Sequence, residues 1–135
     1  MRTDTNTANN NKEIIYKELS YELGGIFYKV HDELGRYARE KQYGDLLEKF
    51  FNEKGIKFER EKIISKTGND INKADFIVNN SIIIELKVKP IITTEDYYQV
   101  KRYLEFTNLR LGMVVNFRQK YLKPKRIINS NYKIN

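Results

Sequence analysis

Lys73-Ala74-Asp75-Phe76-Ile77-Val78-Asn79-Asn80-Ser81-Ile82-Ile83-Ile84-Glu85-Leu86-Lys87-Val88 is a pair of runs rich in Ile and Val, joined by three polar residues. β-Branched side chains favour extended backbone and the Asn-Asn-Ser joint suits a tight connection, so the segment predicts a β-hairpin. Charges interrupt both runs. Glu85 and Lys87 stand two apart, hence on one face of their strand, and Asp75 is a lone carboxylate in the other run. A strand this apolar belongs inside a sheet, where a bare charge is costly. The Glu85–Lys87 pair can be a half-buried structural ion pair, the guard charges of an edge strand, or part of a site.

Register separates these readings. If partners across the hairpin have numbers that sum to 160, Asp75 stands opposite Glu85 and Lys73 opposite Lys87. Ala74, Phe76 and Val78 then face Leu86, Ile84 and Ile82, a wholly apolar second face. Two adjacent carboxylates repel unless a divalent cation sits between them, and hard Mg²⁺ prefers such oxygens while keeping waters. This register needs a three-residue loop, Asn79 to Ser81. A two-residue Asn79-Asn80 turn would pair Phe76 with Ile83 and throw the two acids onto opposite faces.

Upstream, Ile15, Leu19, Leu23, Ile26, Val30 and Leu34 recur at helical spacing, predicting a helix from Glu13 to Leu34 that Gly35 ends. Gly24-Gly25 lowers helix propensity in its middle and predicts a kink, a break or a close backbone contact. A second helix is expected from Tyr37 to Lys54, stopped by Gly55, with Glu40 on the stripe of Tyr43, Leu47 and Phe50. Glu40 is then either a carboxylate that needs a partner or a first-turn acid complementing the helix dipole. Ile56 to Ser65 reads as a strand of poor alternation, and Thr67-Gly68-Asn69-Asp70 as a turn.

Downstream, Thr93 or Thr94 caps a helix reaching Asn108, with Glu95 and Asp96 in its first turn. Gln99 and Tyr103 share one face of it; they could orient a carboxylate or hold a phosphate, or serve as ordinary interface polar groups. Leu111 to Phe117 is a buried strand and Arg126 to Ile128 a short last one. The order predicts one α/β (α+β) domain over residues 12–129, with a flexible tail over 1–11 and a C-terminal tail over 130–135.

The 135-residue length suits a single core, and 40% hydrophobic with 13% aromatic residues suits a globular chain. There is no cysteine and one histidine, His31, so disulfides, thiol nucleophiles and Cys- or His-rich metal centres are excluded. Acid–base or metal chemistry must rest on carboxylates, Lys and Tyr. No apolar run is long enough to span a bilayer and no secretory signal opens the chain, so a cytoplasmic protein with no membrane partner is expected. A net charge of +7 and a pI near 9.5 favour polyanionic partners. The basic stretch Arg118, Lys120, Lys123, Lys125 and Arg126, interleaved with Phe117 and Tyr121, could track phosphates, or be a solvated surface.

At this point the residues resemble a known family. Asp75, a nine-residue gap and then Glu85-Leu86-Lys87 look like the PD-(D/E)XK nuclease signature, and Gln99-xxx-Tyr103 resembles the extra motif of its RecB-like branch. Val30-His31-xx-Leu34-Gly35 followed by Glu40-xx-Tyr43 is similar to the GxxExxY proteins, small members of that fold, with Tyr37 where those proteins have the glycine of their name. The likeness runs from about Leu23 to Ile128. It implies a nuclease-like core, a central mixed sheet flanked by helices, with Glu40, Asp75, Glu85 and the Leu86 carbonyl on Mg²⁺ or Mn²⁺. Lys87 would orient the attacking water, Gln99 and Tyr103 would complete the catalytic set, and His31 would be structural. The expected function is metal-dependent hydrolysis of nucleic acid, DNA first. The alternative is a module of the same fold that binds nucleic acid or a protein without cutting; a third reading is an obligate-partner subunit that docks through the Gly24-Gly25 helix, and the partners expected besides nucleic acid are a second copy, in a homodimer, or another protein.

Overall fold

The structure is a computed structural model that describes residues 14–134. Residues 1–11, expected to form a tail, and Glu13, the expected start of the first helix, lie outside them. Helix α1 spans Lys17–Leu34 and α2 Glu40–Glu53; strands β1 (Phe58–Thr67), β2 (Asp70–Val78) and β3 (Ile82–Lys87) follow, then α3 (Thr94–Thr107), β4 (Leu111–Asn116) and β5 (Lys125–Ile128). The strands form one mixed sheet in the order β1-β2-β3-β4-β5, with β3 and β4 parallel and every other pair antiparallel. Helix α3 is the crossover that a parallel pair requires. The α/β (α+β) expectation of a central sheet flanked by helices is met.

Period-two alternation divides the core into two layers. Phe76, Val78, Ile82, Ile84, Leu86, Met113 and Val115 pack with α1 and α2, whereas Ile77, Ile83 and Val114 pack with Val100, Tyr103 and Leu104 of α3. Both faces of β3 are therefore covered, which is why Ile82–Ile84 can be continuously apolar. Gly112 permits the close seating of α3, since a Cβ there would lie 2.6 Å from Val100 Cγ1.

Local signals in the sequence set most boundaries. Gly35, at φ 73°, ends α1 and its N–H donates to the His31 carbonyl. Gln42 Oε1 accepts from the Arg39 N–H at 2.8 Å and so fixes the start of α2. Thr93 caps α3, accepting from the Asp96 N–H, while the Asp96 carboxylate accepts from the Thr93 N–H at 2.7 Å.

Two expectations are corrected. Helix α1 runs unbroken through Gly24 and Gly25, and a Cβ at either would meet nothing within 4 Å. The glycines face open space, so neither a break nor a close contact arises, and eighteen residues of i→i+4 bonding absorb their low propensity. The apolar second face of the hairpin is also shorter than expected: Phe76 and Val78 join Ile82, Ile84 and Leu86, but Ala74 packs with Ile77, Ile83 and α3. Alternation fails at Asp75, where β2 loses its pairing on both sides.

Candidate active site

The hairpin register is the one that brings the acids together. Phe76 pairs with Ile84, Ile77 with Ile83 and Val78 with Ile82, and the connection is Asn79 to Ser81, with both asparagines at positive φ. One step further, where Asp75 would pair with Glu85, the regular ladder stops. The side chains replace it: the Asp75 N–H donates to Glu85 Oε2 at 2.8 Å, and the Leu86 N–H donates to Asp75 Oδ2 at 2.7 Å. Each carboxylate thus satisfies the neighbouring strand's freed backbone donor, which holds the strands apart and fixes both acids without a long flexible tether.

On the other side of Asp75 the ladder is also interrupted. Arg60 pairs with Phe76 and Lys62 with Ala74, leaving Glu61 opposite Asp75, and Glu61 adopts φ 53°. A left-handed backbone is uncommon for a residue with a Cβ, and with the register shift between Ile63 and Ser65 it makes β1 irregular.

Glu85 is buried and Asp75 half-buried, and the Lys87 charge acts on both only from beyond salt-bridge distance. Glu85 is 4% exposed, and neither it nor Asp75 forms an ion pair with a Lys or Arg among the described residues. Burial raises the Glu85 carboxyl to about 8, and the Asp75 negative charge adds to it; burial also raises Asp75 to about 6, against the lowering effect of its bond from Leu86. Tyr103, buried on α3, is pushed above the ordinary phenol value by burial and then by Glu85 and Asp75.

The remaining candidates surround this centre at different depths. Asp75, Leu86 and Glu40 line one open cavity of about 790 Å³, with Glu40 exposed in the first residue of α2. Glu40 is not on the buried stripe, which is Tyr43, Gly44, Leu47 and Phe51. Among the described residues no group of three or more acidic, His or Cys side chains could hold a metal ion as the side chains stand, although the Glu40 charge contributes to raising both Asp75 and Glu85. Lys87, half-buried, points its Nζ at Gln99 Oε1, 3.4 Å away, and at Asp96 Oδ1, 3.7 Å away. Gln99 and Tyr103 therefore both address the site from α3, Gln99 through Lys87.

Of the basic residues, Arg118 turns towards Tyr37, Lys123 and Lys125 line a small cleft beside the Pro90–Ile92 loop, and Lys120 lies over the Tyr121 ring. Arg126 faces away from Lys125 and donates to Ser20 Oγ and the Ile15 carbonyl, anchoring the start of α1. His31 Nε2 lies 2.7 Å from the Gln119 carbonyl, which requires the nitrogen to carry the proton and gives His31 a structural bond.

Sequence patterning alone did not single out Arg60, Gly44, Glu61 or Asp96 as site residues. Arg60 spans from β1 to Asp45 and Glu48 of α2 at 2.7 and 3.1 Å, with its guanidinium 5.6 Å from the Phe76 ring centre. A Cβ on Gly44 would come within 2.5 Å of Arg60 Nη2, so this glycine in mid-helix makes room for the guanidinium. A glycine inside an apolar helical stripe was the signal that could have found it.

Residues 17–128 match the family described as the PD-(D/E)XK nuclease superfamily, and the chain belongs to that superfamily. No curated protein and no solved structure matches it. Members of the superfamily are usually hydrolytic nucleases that use divalent cations. The donor set here fits such a cation: Asp75 and Glu85 offer hard carboxylate oxygens, and Oδ1 of Asp75 and Oε1 of Glu85 accept no hydrogen bond from the described residues.

Proposed function

We propose that the protein is a Mg²⁺- or Mn²⁺-dependent nuclease that hydrolyses phosphodiester bonds of nucleic acid, DNA in the first instance. The observation that carries this reading is a pair of adjacent carboxylates, Glu85 buried and Asp75 half-buried, fixed by two backbone N–H groups, with no Lys or Arg within salt-bridge distance among the described residues. Raised pKa values beside an open cavity support a site, and the two backbone bonds that fix the pair support it independently. The order of the motifs supports placement among the GxxExxY proteins and the RecB-like branch, and a cysteine-free basic chain suits the cytoplasm.

Asp75, Glu85 and the Leu86 carbonyl would hold the cation, with Glu40 reaching it from the cavity wall. When bound, the cation supplies Lewis-acid polarisation of the phosphoryl group and makes water a better nucleophile. The chain's residues do the rest. Asp75 and Glu85 hold their positions because each is tied to the opposite strand. Lys87 presents an ammonium beside the pair, able to orient water and to stabilise charge that develops on the phosphoryl oxygens. Gln99 holds Lys87 by its amide oxygen, and Tyr103 closes the α3 side against bulk water.

The test is a cleavage assay on single- and double-stranded substrates with Mg²⁺, Mn²⁺ or EDTA, with Asp75→Asn as control. Cleavage that needs the metal and Asp75 is expected. One observation favours a second reading, a binding module that does not cut: Glu40 does not join Asp75 and Glu85 in a group that could hold a metal ion as the side chains stand. Metal binding without turnover on any substrate would select it.

A further inference from the structure

The loop between α1 and α2 carries a second feature beside the site. Arg36 and Arg118 clasp one another through their backbones: Arg36 Nε donates to the Arg118 carbonyl at 2.8 Å and Arg118 Nε to the Arg36 carbonyl at 3.0 Å. Both guanidiniums lie against the Tyr37 ring, their central carbons 5.1 and 5.5 Å from its centre. Tyr37 is nevertheless 74% exposed, more than a ring covered on both faces could be, so one face remains open. Neither arginine has a carboxylate within salt-bridge distance among the described residues, and only their Nε atoms are engaged. Arg60 and Arg102, by contrast, are paired with acids.

The location ties this feature to the carboxylates. Tyr37 lies three residues before Glu40, and Arg118 directly follows Phe117, whose N–H donates to the Lys87 carbonyl at 2.9 Å. The loop that carries Arg118 is strapped to α1 by His31 on Gln119 and by Tyr28 on Leu122, so the platform is held from both sides. Clasping two loops needs only the Nε bonds. It does not need an exposed aromatic ring or two forks of unengaged Nη donors.

We propose that Tyr37 is a stacking platform for an unpaired nucleobase and that the Nη groups of Arg36 and Arg118 take the flanking phosphates, so the substrate is engaged as single strand. The inference rests on the nuclease reading for what happens at the carboxylates, and the platform itself acts in binding. Every base has a π-face, so stacking tolerates any sequence, while guanidinium forks match phosphate geometry. Bases inside an intact duplex are already stacked and offer Tyr37 no free face. The platform therefore discriminates against blunt duplex.

The test uses the full chain in EDTA, where nothing is cut, and 12-nucleotide single strands of DNA and of RNA carrying 2-aminopurine, beside a blunt DNA duplex. The parent is expected to bind single strands more tightly than duplex and to quench the 2-aminopurine. Tyr37→Ala and Tyr37→Leu should weaken single-strand binding roughly 5- to 100-fold and abolish quenching, with melting unchanged, while Tyr37→Phe stays within about twofold of the parent. Replacing Arg36 and Arg118 by Gln should flatten the log-affinity versus log-salt slope by about 0.7 for each phosphate the two arginines neutralise. A weakening confined to the DNA or the RNA arm names the strand the platform takes. Equal affinity of parent and Tyr37→Ala for every oligonucleotide, or a parent that does not prefer unpaired strands, overturns the proposal. Adding Mg²⁺ or Mn²⁺ separates the two readings: cleavage with an unchanged KM in Tyr37→Ala sinks the platform alone, and Tyr37-dependent binding without cleavage sinks the nuclease reading alone.

Discussion

Asp96 and Glu85 are both buried carboxylates next to lysines, yet their environments are opposite. Asp96 accepts from the Thr93 N–H and hydroxyl and pairs with Lys89 at 2.8 and 3.0 Å, which holds it down to about 2 in spite of burial. Glu85 accepts one backbone N–H, has a second acid as neighbour and is raised to about 8. A saturated carboxylate is structural: it caps a helix and holds lysines in place. An unsaturated one stores an unfavourable interaction that binding a cation can relieve. Lys87 lies between the two, near Asp96 rather than within salt-bridge distance of Glu85.

Substitution should separate the two acids most sharply. Glu85→Gln is expected to abolish cleavage, a fall of orders of magnitude, while leaving the melting temperature of the metal-free protein unchanged or higher, because it removes a group whose ionisation burial and the Asp75 charge oppose. Lys87→Ala should lose cleavage equally but still respond to metal in a melt. A Glu85→Gln protein that melts far below the parent and ignores Mg²⁺ would falsify the contrast and make the pair a structural one.

Metal should act on one acid site alone. At a Mg²⁺ or Mn²⁺ concentration of about 100 times Kd the parent should gain about 2.7 kcal/mol. Asp75→Asn and Glu85→Gln should lose this gain, and Asp96→Asn should keep it; thermal melts with and without metal read the difference. Asp96→Ala, in contrast, should destabilise the metal-free protein by about 2 kcal/mol through the lost cap and the charged hydrogen bonds, read in a urea titration.

Opposite pKa shifts predict opposite pH slopes, a smaller effect. Asp75 and Glu85 bind their protons more tightly in the folded state, so their favourable contribution is full below about pH 4 and is lost as pH rises through about 6 and 8. Asp96 is depressed, so its contribution is present above its ordinary 3.8 and is lost as pH falls towards 2. In metal-free melts across this range, Glu85→Gln should flatten the alkaline decline and Asp96→Asn the acid one. A parent whose stability rises from pH 5 to 8 would contradict the first half.

The smallest effect tests packing on the α3 side, where Tyr103 and Val100 sit. Gly112→Ala would drive a Cβ into Val100 Cγ1 and should cost about 1–3 kcal/mol in a denaturant titration without touching the carboxylates.

Much of this was legible in the sequence because it is local. The hairpin, its three-residue loop and its register follow from alternation in a chain whose side-chain period is two, and one slipped residue would have thrown Asp75 and Glu85 onto opposite faces. The ends of α1, α2 and α3 follow from Gly35, Gly55 and Thr93, residues that act on their own backbone. Asp75, Glu85 and Lys87 stood out because charge is costly in an apolar strand.

Tertiary structure alone decided how those residues interact. That Asp75 and Glu85 replace a broken ladder by bonding each other's strand, that Glu61 turns left-handed opposite them, and that Lys87 leans to Asp96 depend on how neighbouring elements are set against one another, which periodicity does not specify. Whether Arg118 joined Arg36 and Tyr37, while Arg126 turned to α1, depended on which face of the sheet each reached. Composition specifies that charges exist and periodicity specifies a face, but a hydrogen bond needs an angle and a distance, and those are set only when α1, α2 and α3 close on the sheet.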